Sequence, residues 1–350
     1  FEFTGHPVYE KQYQSWVEKE NYFPVLEGDI LKSYYKILAK GLSVPYKNFP
    51  VKNKKQFGTF LPFSEGFLFT WSDEPYSEKE INILDRFKNI LELTTRRYLD
   101  LKNAEEQSRE SQIETALEKI RSRSLAMHNA EELGEVISVI VEKLKELDFS
   151  VDDGVALITH IEGSKDLLEW MANPGFPSAI KFYLPYFEHP VLSDLWKAKN
   201  EGAEFAVKRY TAKENKSFLT HIFKHSDFKH TPQPIKDYCL TADTYATSIA
   251  FQKNTAIFIN DYSGKTLTQQ EIEILKRFSK VFEQAYIRFL DLQKAEAQAR
   301  ESQIEAALER VRSRTMGMQK SDELKDVIQV IYEQFVHLDI IIDHAGIIMD

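Results

Sequence analysis

The sequence predicts an α+β protein in which antiparallel sheets are flanked by helices and successive domains are joined by long, coiled-coil-like helices. Three observations support this prediction. The sequence repeats at a spacing of 191 residues, the middle repeat mixes strand and helix patterns, and two runs of about 50 residues contain neither glycine nor proline. Strands paired as hairpins, with helices between the hairpins, are typical of the α+β class.

The repeat is clearest in a segment that connects two domains. Arg109–Met127 and Arg300–Met318 share 13 of 19 residues, and the same offset holds without a gap from Ser77 to Thr159. A period this long corresponds to a domain plus its connector, because solenoid repeats are roughly 20 to 50 residues long. The predicted organisation is the C-terminal part of one domain with its exit helix (1–100), a helical connector (101–128), a complete domain (129–291), a second connector (292–319) and the start of a third domain (320–350).

The middle domain shows its element patterns in a definite order. Apolar residues recur at helical spacing from Glu131 to Leu147, which predicts a helix that leads into the domain. His189-Pro190 predicts the start of another helix, because proline is favoured at the first helical position. Two hairpins are predicted, one formed by 154–161 and 166–172 and the other by 245–251 and 255–260. A single strand is predicted at 203–210 and a further helix at 216–224.

The two chain ends carry a further expectation. The chain opens on Phe1, and the apolar run from Ala345 to Met349 reads as a strand just before the last residue. We therefore expect the chain to be a fragment of a longer protein.

The runs without glycine and proline, 77–127 and 268–316, predict two long helices. Each begins with a capping box, Ser77 with Glu80 and Thr268 with Glu271. Each carries a first apolar stripe at heptad spacing, which we expect to pack on the helix's own domain. A second stripe is rotated by about 120° from the first, at about 100° per residue. It comprises Ile113, Leu117, Ile120 and Met127, and then Ile304, Leu308, Val311 and Met318.

The second stripe predicts a homodimer formed through the connecting helices. In this interpretation, the stripe pairs with the same helix of another subunit and transmits the signal. The alternative is a helix that packs only within its own chain.

Composition excludes several classes of protein. The net charge of −9 opposes nucleic-acid binding, since that affinity comes mainly from Lys and Arg that neutralise phosphates. The single cysteine, Cys239, fits a reducing compartment and reads as a small core residue. No stretch reaches the roughly 18 apolar residues that a membrane span needs. We therefore expect a cytoplasmic segment that contacts neither membrane nor nucleic acid.

The repeated connector resembles a known family. Arg-Glu-Ser-Gln-Ile-Glu-x-Ala-Leu-Glu, followed by two variable residues and Arg-Ser-Arg, stands at 109–123 and 300–314. This segment is similar to the connectors of tandem GAF domains in bacterial, Bacteroidetes-like sensor proteins, which are often joined to histidine kinases of two-component systems. The resemblance implies a GAF-like (PAS-related) antiparallel sheet flanked by helices, a small-molecule pocket on one sheet face, and an output domain in the same polypeptide.

Candidate ligand-contact residues combine aromatic walls with a few polar groups, as binding pockets do. They are Trp170, His189, Trp196, Lys208 and Tyr210, and each is also consistent with a place in the core, at the surface or, for His189, at a helix start. His221 and His225 stand four residues apart on a predicted helix and could present two imidazoles to a metal, but surface or partly buried histidines are the favoured interpretation. The sequence contains no catalytic arrangement and requires no cofactor. We therefore expect no metal site and no enzyme, and the sequence does not identify the ligand. The predicted function is sensing of a small molecule or partner, relayed through the connecting helices. The alternative is a scaffold that dimerises without binding a ligand.

Overall fold

A computed structural model of the protein describes residues 5–41, 55–151, 154–161, 163–172 and 179–342. The chain divides into two units between Glu110 and Ser111. The second half of the first connector therefore belongs to the same unit as the middle domain. The strand predicted at Ala345–Met349 lies outside the described residues.

The first unit contains a small antiparallel sheet with strand order β1-β2-β3. Its buried aromatic core includes Tyr9 and Tyr34, whose ring centroids lie 5.0 Å apart. Its elements are α1 (Pro7–Glu18), β1 (Val25–Glu27), α2 (Gly28–Gly41), β2 (Lys55–Phe63), β3 (Gly66–Ser72) and the beginning of α3 (Glu78–Leu125).

The second unit contains a six-stranded antiparallel sheet with several helices. Its helices after α3 are α4 (Leu133–Glu146), α5 (Pro190–Asn200), α6 (Ala212–His225), α7 (Gln233–Leu240), α8 (Gln269–Met316) and α9 (Leu324–His337). Its strands are β4 (Val155–His160), β5 (Leu167–Met171), β6 (Ile180–Leu184), β7 (Phe205–Thr211), β8 (Thr244–Phe251) and β9 (Thr255–Asp261). The strand order is β6-β5-β4-β9-β8-β7, so the two central strands come from opposite ends of the domain. The α+β prediction with an antiparallel sheet is confirmed.

Successive side chains of the central strands point to opposite faces of the sheet, and each face has its own hydrophobic core. On β9, Ile257 and Ile259 belong to the core that contains α4 and α8. Ala256 and Phe258 belong to the core that contains α5, α6 and α7. One sheet face therefore carries the long helices, and the other carries the short ones.

The predicted long helices are continuous. Helices α3 and α8 each contain 48 residues, and each has its predicted capping box. The Thr268 hydroxyl accepts from the Glu271 N–H at 3.3 Å, and the Glu271 carboxylate accepts from the Thr268 N–H at 2.6 Å. The same reciprocal pair joins Ser77 and Glu80. These bonds satisfy N–H groups that the first helical turn leaves unpaired.

The second stripe of the first connector is buried within the chain. Ile113, Leu117, Ile120 and Met127 lie in the core that contains α4 and α8, and none is more than 4% exposed. This differs from the expectation that the stripe faces another subunit. The reason is that α3 ends at Leu125 and the chain continues into α4, so that the stripe shares a core with the apolar faces of α4 and α8. For these four residues, the alternative of packing within the chain is the correct description.

The corresponding stripe of the second connector is less covered. Ile304, Val311 and Met318 are half-buried beside α9, while Leu308 is 44% exposed. The homodimer stays a prediction, and Leu308 is the stripe residue most available to a partner.

The first stripe packs as predicted on α8. Leu275, Phe278, Phe282, Ala285 and Phe289 are buried in the core with α4. On α3, the counterpart Phe87 is 62% exposed. The reason is that the described residues of the first unit contain no helix corresponding to α4.

An arginine at the end of each connector makes the same ion pairs. Arg123 pairs with Glu132 at 3.1 Å and also with Glu135. One period later, Arg314 pairs with Asp326 at 2.7 Å and with Glu323 at 3.8 Å. The second arginine of each Arg-Ser-Arg segment thus fixes the end of a long helix against the helix that follows it. Among the described helices, none has the length and apolarity needed to span a bilayer.

Candidate functional site

A cavity of about 540 Å³ lies in the second unit, on the sheet face that carries the short helices. Its volume falls within the range of roughly 300 to 1,000 Å³ typical of small-molecule sites. Strands β5 and β6 form one wall, helices α5, α6 and α7 form others, and β8 and β9 contribute from the centre of the sheet. Most of the lining side chains are apolar, with aromatic rings from Phe182, Phe218, Phe223, Phe228 and Phe258.

One carboxyl group faces this apolar space. Glu169 lies on β5 and lines the cavity. Burial among protein atoms raises its pKa to about 7, because the charged form loses its hydration. The Glu169 side chain is half-buried, and it borders the cavity.

The wall also contains a hydrogen-bonded pair of polar side chains, a tyrosine and an asparagine. The Tyr245 hydroxyl on β8 donates to Asn260 Oδ1 on β9 at 2.5 Å. Burial, and then the nearby Glu169, raise the pKa of Tyr245 well above its usual value. Cys239 is buried in the same wall, which agrees with its interpretation as a core residue.

Among the described residues that line the cavity, none is one of the five sequence candidates. Trp170 lies on the opposite sheet face and packs against the core of the long helices, with the Lys181 ammonium 5.4 Å from its ring centroid. Successive residues of a strand point to opposite faces, so Trp170 and its neighbour Glu169 cannot both face the cavity. Trp196 packs beside the cavity core, and its indole N–H donates to the Lys165 carbonyl at 2.9 Å.

Lys208 and Tyr210 share one partner on α5. The Tyr210 hydroxyl donates to the Asp194 carboxylate at 3.3 Å, and the Lys208 ammonium lies 3.7 Å from the same carboxylate. Both side chains therefore fix β7 against α5. Tyr210 approaches the cavity only through ring contact with Tyr245, at 5.9 Å between centroids.

His189 starts α5, which confirms the helix-start interpretation. Its Nδ1 accepts from the Val191 N–H at 3.3 Å, so the ring proton lies on Nε2, which donates to Ser217 Oγ at 2.9 Å. His6 caps α1 in the same way, with Val8 and Ser33 as partners at 3.2 and 3.1 Å. The repeated His-Pro-Val segment is therefore a structural device that requires neutral histidine.

Replacing His189 with alanine is expected to lower the free energy of unfolding by about 1 kcal/mol, the usual effect of losing an N-cap. Asparagine, which also caps helices, should retain most of the stability that the histidine cap contributes. Burial lowers the pKa of His189, so the cap's contribution is complete above about pH 6.5 and is lost as pH falls through the folded-state pKa. Calorimetry at pH 7.5 and 5 tests this, with the exposed His225→Asn as control. Equal stability of the alanine and asparagine variants at pH 7.5 would contradict the capping role.

Sequence reasoning missed the residues that give the cavity its chemistry. Glu169, Tyr245 and Asn260 are separated by up to 91 positions, and none forms a recognisable motif. A usable signal does exist for Glu169. It stands between Leu167 and Met171 in a period-two pattern, which places a carboxyl on an apolar strand face.

No protein-family model and no curated protein matches the chain. Among solved structures, the chain is similar to the bacteriophytochrome RpBphP3 from the photosynthetic bacterium R. palustris, with a TM-score of 0.34 and 8% identity. The similarity covers 82% of this chain and 52% of that one, so the chain spans about half the length of that protein. At this TM-score and identity, the similarity assigns neither a family nor a ligand to the chain.

Proposed function

We propose that the chain is a GAF-type sensory and regulatory module of a bacterial signal-transduction protein. The middle domain binds a small molecule in its cavity, and the connecting helices carry the response to an output domain in the same polypeptide, such as a histidine kinase. The proposal places the module in the cytoplasm as a homodimer and assigns it no catalysis. The observation that carries it is a ligand-sized cavity on one face of a sheet whose other face holds the connecting helices.

The central strands supply a physical route between the two faces. On β9, Phe258 borders the cavity, while its neighbours Ile257 and Ile259 pack in the core with the end of α3. A shift of β9 that accommodates a ligand therefore changes the packing of the connector. Close-packed cores respond to such shifts by moving between discrete arrangements.

The end of α3 is also joined directly to the middle of α8. The Arg288 guanidinium on α8 donates to the carbonyls of Leu125 at 3.1 Å and Met127 at 2.9 Å. These carbonyls close the end of α3, where a helix favours positive charge. A ligand alters this junction only if it binds more tightly to one arrangement of the helices than to the other.

The proposal is tested with a thermal-shift screen of the chain against a metabolite library. A compound that occupies the cavity should raise the melting temperature and slow alkylation of Cys239 by N-ethylmaleimide. Since Cys239 is the sole cysteine, mass spectrometry reads its modification without background, and Cys239→Ser is the control. A scaffold without ligand predicts no shift and the same alkylation rate with every compound.

The relay is tested separately by hydrogen exchange with a bound compound. Protection should change in residues 111–127 as well as in the cavity wall. A change confined to the wall would leave ligand binding intact and contradict transmission through the connector.

A further inference from the structure

Glu169 lies in a part of the cavity wall whose described strand residues are apolar. Its neighbours along the same face of β5 are Leu167 and Met171. Its cross-strand partners are Ile158 on β4 and Phe182 on β6. All four nearest positions on this sheet face are therefore apolar, and none can donate a side-chain hydrogen bond.

The described residues give this carboxyl no partner. Among those that line the cavity, Glu169 is the only one with a carboxylate, ammonium or guanidinium group. The Tyr245 hydroxyl already donates to Asn260 at 2.5 Å. No described residue forms a hydrogen bond or ion pair with Glu169, although carboxyl groups that are largely surrounded by protein are normally paired.

A carboxylate without a partner in such surroundings is costly, and a cation brought by a ligand offsets part of that cost. Burial has already raised the pKa of Glu169 to about 7, so near neutral pH the group ionises readily when a cation approaches. The remaining walls indicate the rest of the ligand. Phe182 and Phe228 stack at 4.5 Å between centroids, and aromatic faces tolerate both an apolar body and a nearby cation.

We propose that the cavity takes a small, largely apolar molecule that carries a protonated amine, whose ammonium group pairs with Glu169. This inference rests on the proposed ligand-binding role of the cavity and names its ligand class. The other titratable groups on the wall are His230 after α6, Tyr238 and Cys239 on α7, and Tyr245 and Tyr262 around the final hairpin. None of them carries a carboxylate that would compete with Glu169 for the ammonium group.

The test uses three probes with one skeleton: 4-phenylbutylamine, 4-phenylbutan-1-ol and 4-phenylbutanoate. Calorimetric titration of the chain at pH 8 should show the amine binding at least tenfold more tightly than the alcohol, with the acid weakest. Glu169→Gln should remove the preference for the amine without weakening the binding of the alcohol, which also shows that the variant cavity is intact.

The amine's affinity should also fall by about tenfold between pH 8 and pH 6, as the ionised fraction of a carboxyl with a pKa of about 7 falls. The alcohol's affinity should not fall. Because imidazoles titrate in this range, the series is repeated in His230→Asn, which should keep the amine's pH dependence.

Three outcomes overturn the inference. One is equal binding of the amine and the alcohol, the second is an amine preference that survives in Glu169→Gln, and the third is no binding of the amine. Ligand sensing by the cavity survives each of them as long as another library compound raises the melting temperature and protects Cys239.

Discussion

Replacing Leu117 with alanine is expected to lower the free energy of unfolding of the middle domain by about 2–5 kcal/mol, the range measured for buried leucines. The reason is that Leu117 is only 1% exposed, in the core that contains α4 and α8. Its removal leaves a cavity between the connector and the domain that follows. Urea unfolding read by hydrogen exchange in residues 133–146 measures the loss in the relevant part of the chain.

The repeat provides a matched control. Leu308 stands at the same place in the second connector but is 44% exposed, so Leu308→Ala should cost less than about 1 kcal/mol in the monomer. If Leu308 instead packs against a second subunit, the same variant should weaken self-association in sedimentation experiments. Equal, small losses from both substitutions would contradict the burial of the connector in the middle domain.

Replacing Glu169 with glutamine is expected to stabilise the chain at pH 8 and to leave its stability unchanged near pH 4. Burial raises the pKa of Glu169 to about 7 in the folded state, against an ordinary value of 4.5. The folded protein thus binds this proton more tightly than the unfolded chain does. Stability falls as pH rises from about 4.5 to about 7, and the total loss is about 3 kcal/mol at roughly 1.36 kcal/mol per pKa unit.

Calorimetry of the wild type and Glu169→Gln between pH 4 and pH 8 measures this difference directly. Glu201 at the end of α5 is exposed, so Glu201→Gln removes a negative charge that is already hydrated. The stability of this control variant should therefore change with pH as the wild type's does. A difference between wild type and Glu169→Gln that does not grow with pH would show that the carboxyl is hydrated in the folded protein.

The fold was predictable where a strong local signal repeats. Capping boxes at Ser77 and Thr268, with no glycine or proline behind them, predict helices whose starts and continuity the structure confirms. Both predicted hairpins are also present, as β4–β5 and β8–β9. In each case, the chain's local preference and the final structure agree.

The missed elements are short and depend on tertiary contacts. Strand β6 has five residues, and among the described strands it lies at the edge of the sheet beside β5. Helix α7 has eight residues and contains Pro234, so its pattern is too short to show a helical period. Such elements form because they pair with the edge of a sheet or pack over a cavity. Neither kind of contact is visible in the sequence of the segment itself.

The candidate site was harder to predict because the direction of each side chain decides which residues face the cavity. Trp170 is the kind of residue that lines pockets, but its neighbour Glu169 occupies the cavity face. A one-residue difference in position therefore reverses the assignment. His189, Lys208 and Tyr210 were proposed as ligand contacts, but they do not line the cavity. They form hydrogen bonds and an ion pair with residues of α5 and α6 instead.

The arginine that ends each connector has a consequence for protein engineering. Arg123 and Arg314 pair with acidic residues that follow them by the same number of positions. One junction can therefore replace the other without changing which residues pair. Crossing over between equivalent positions of 109–123 and 300–314 adds or removes one whole period of 191 residues and preserves both helix phase and charge pairing. Chimeric proteins joined at these positions keep a junction that already occurs in the chain, whereas joining them elsewhere in the helices creates a new one.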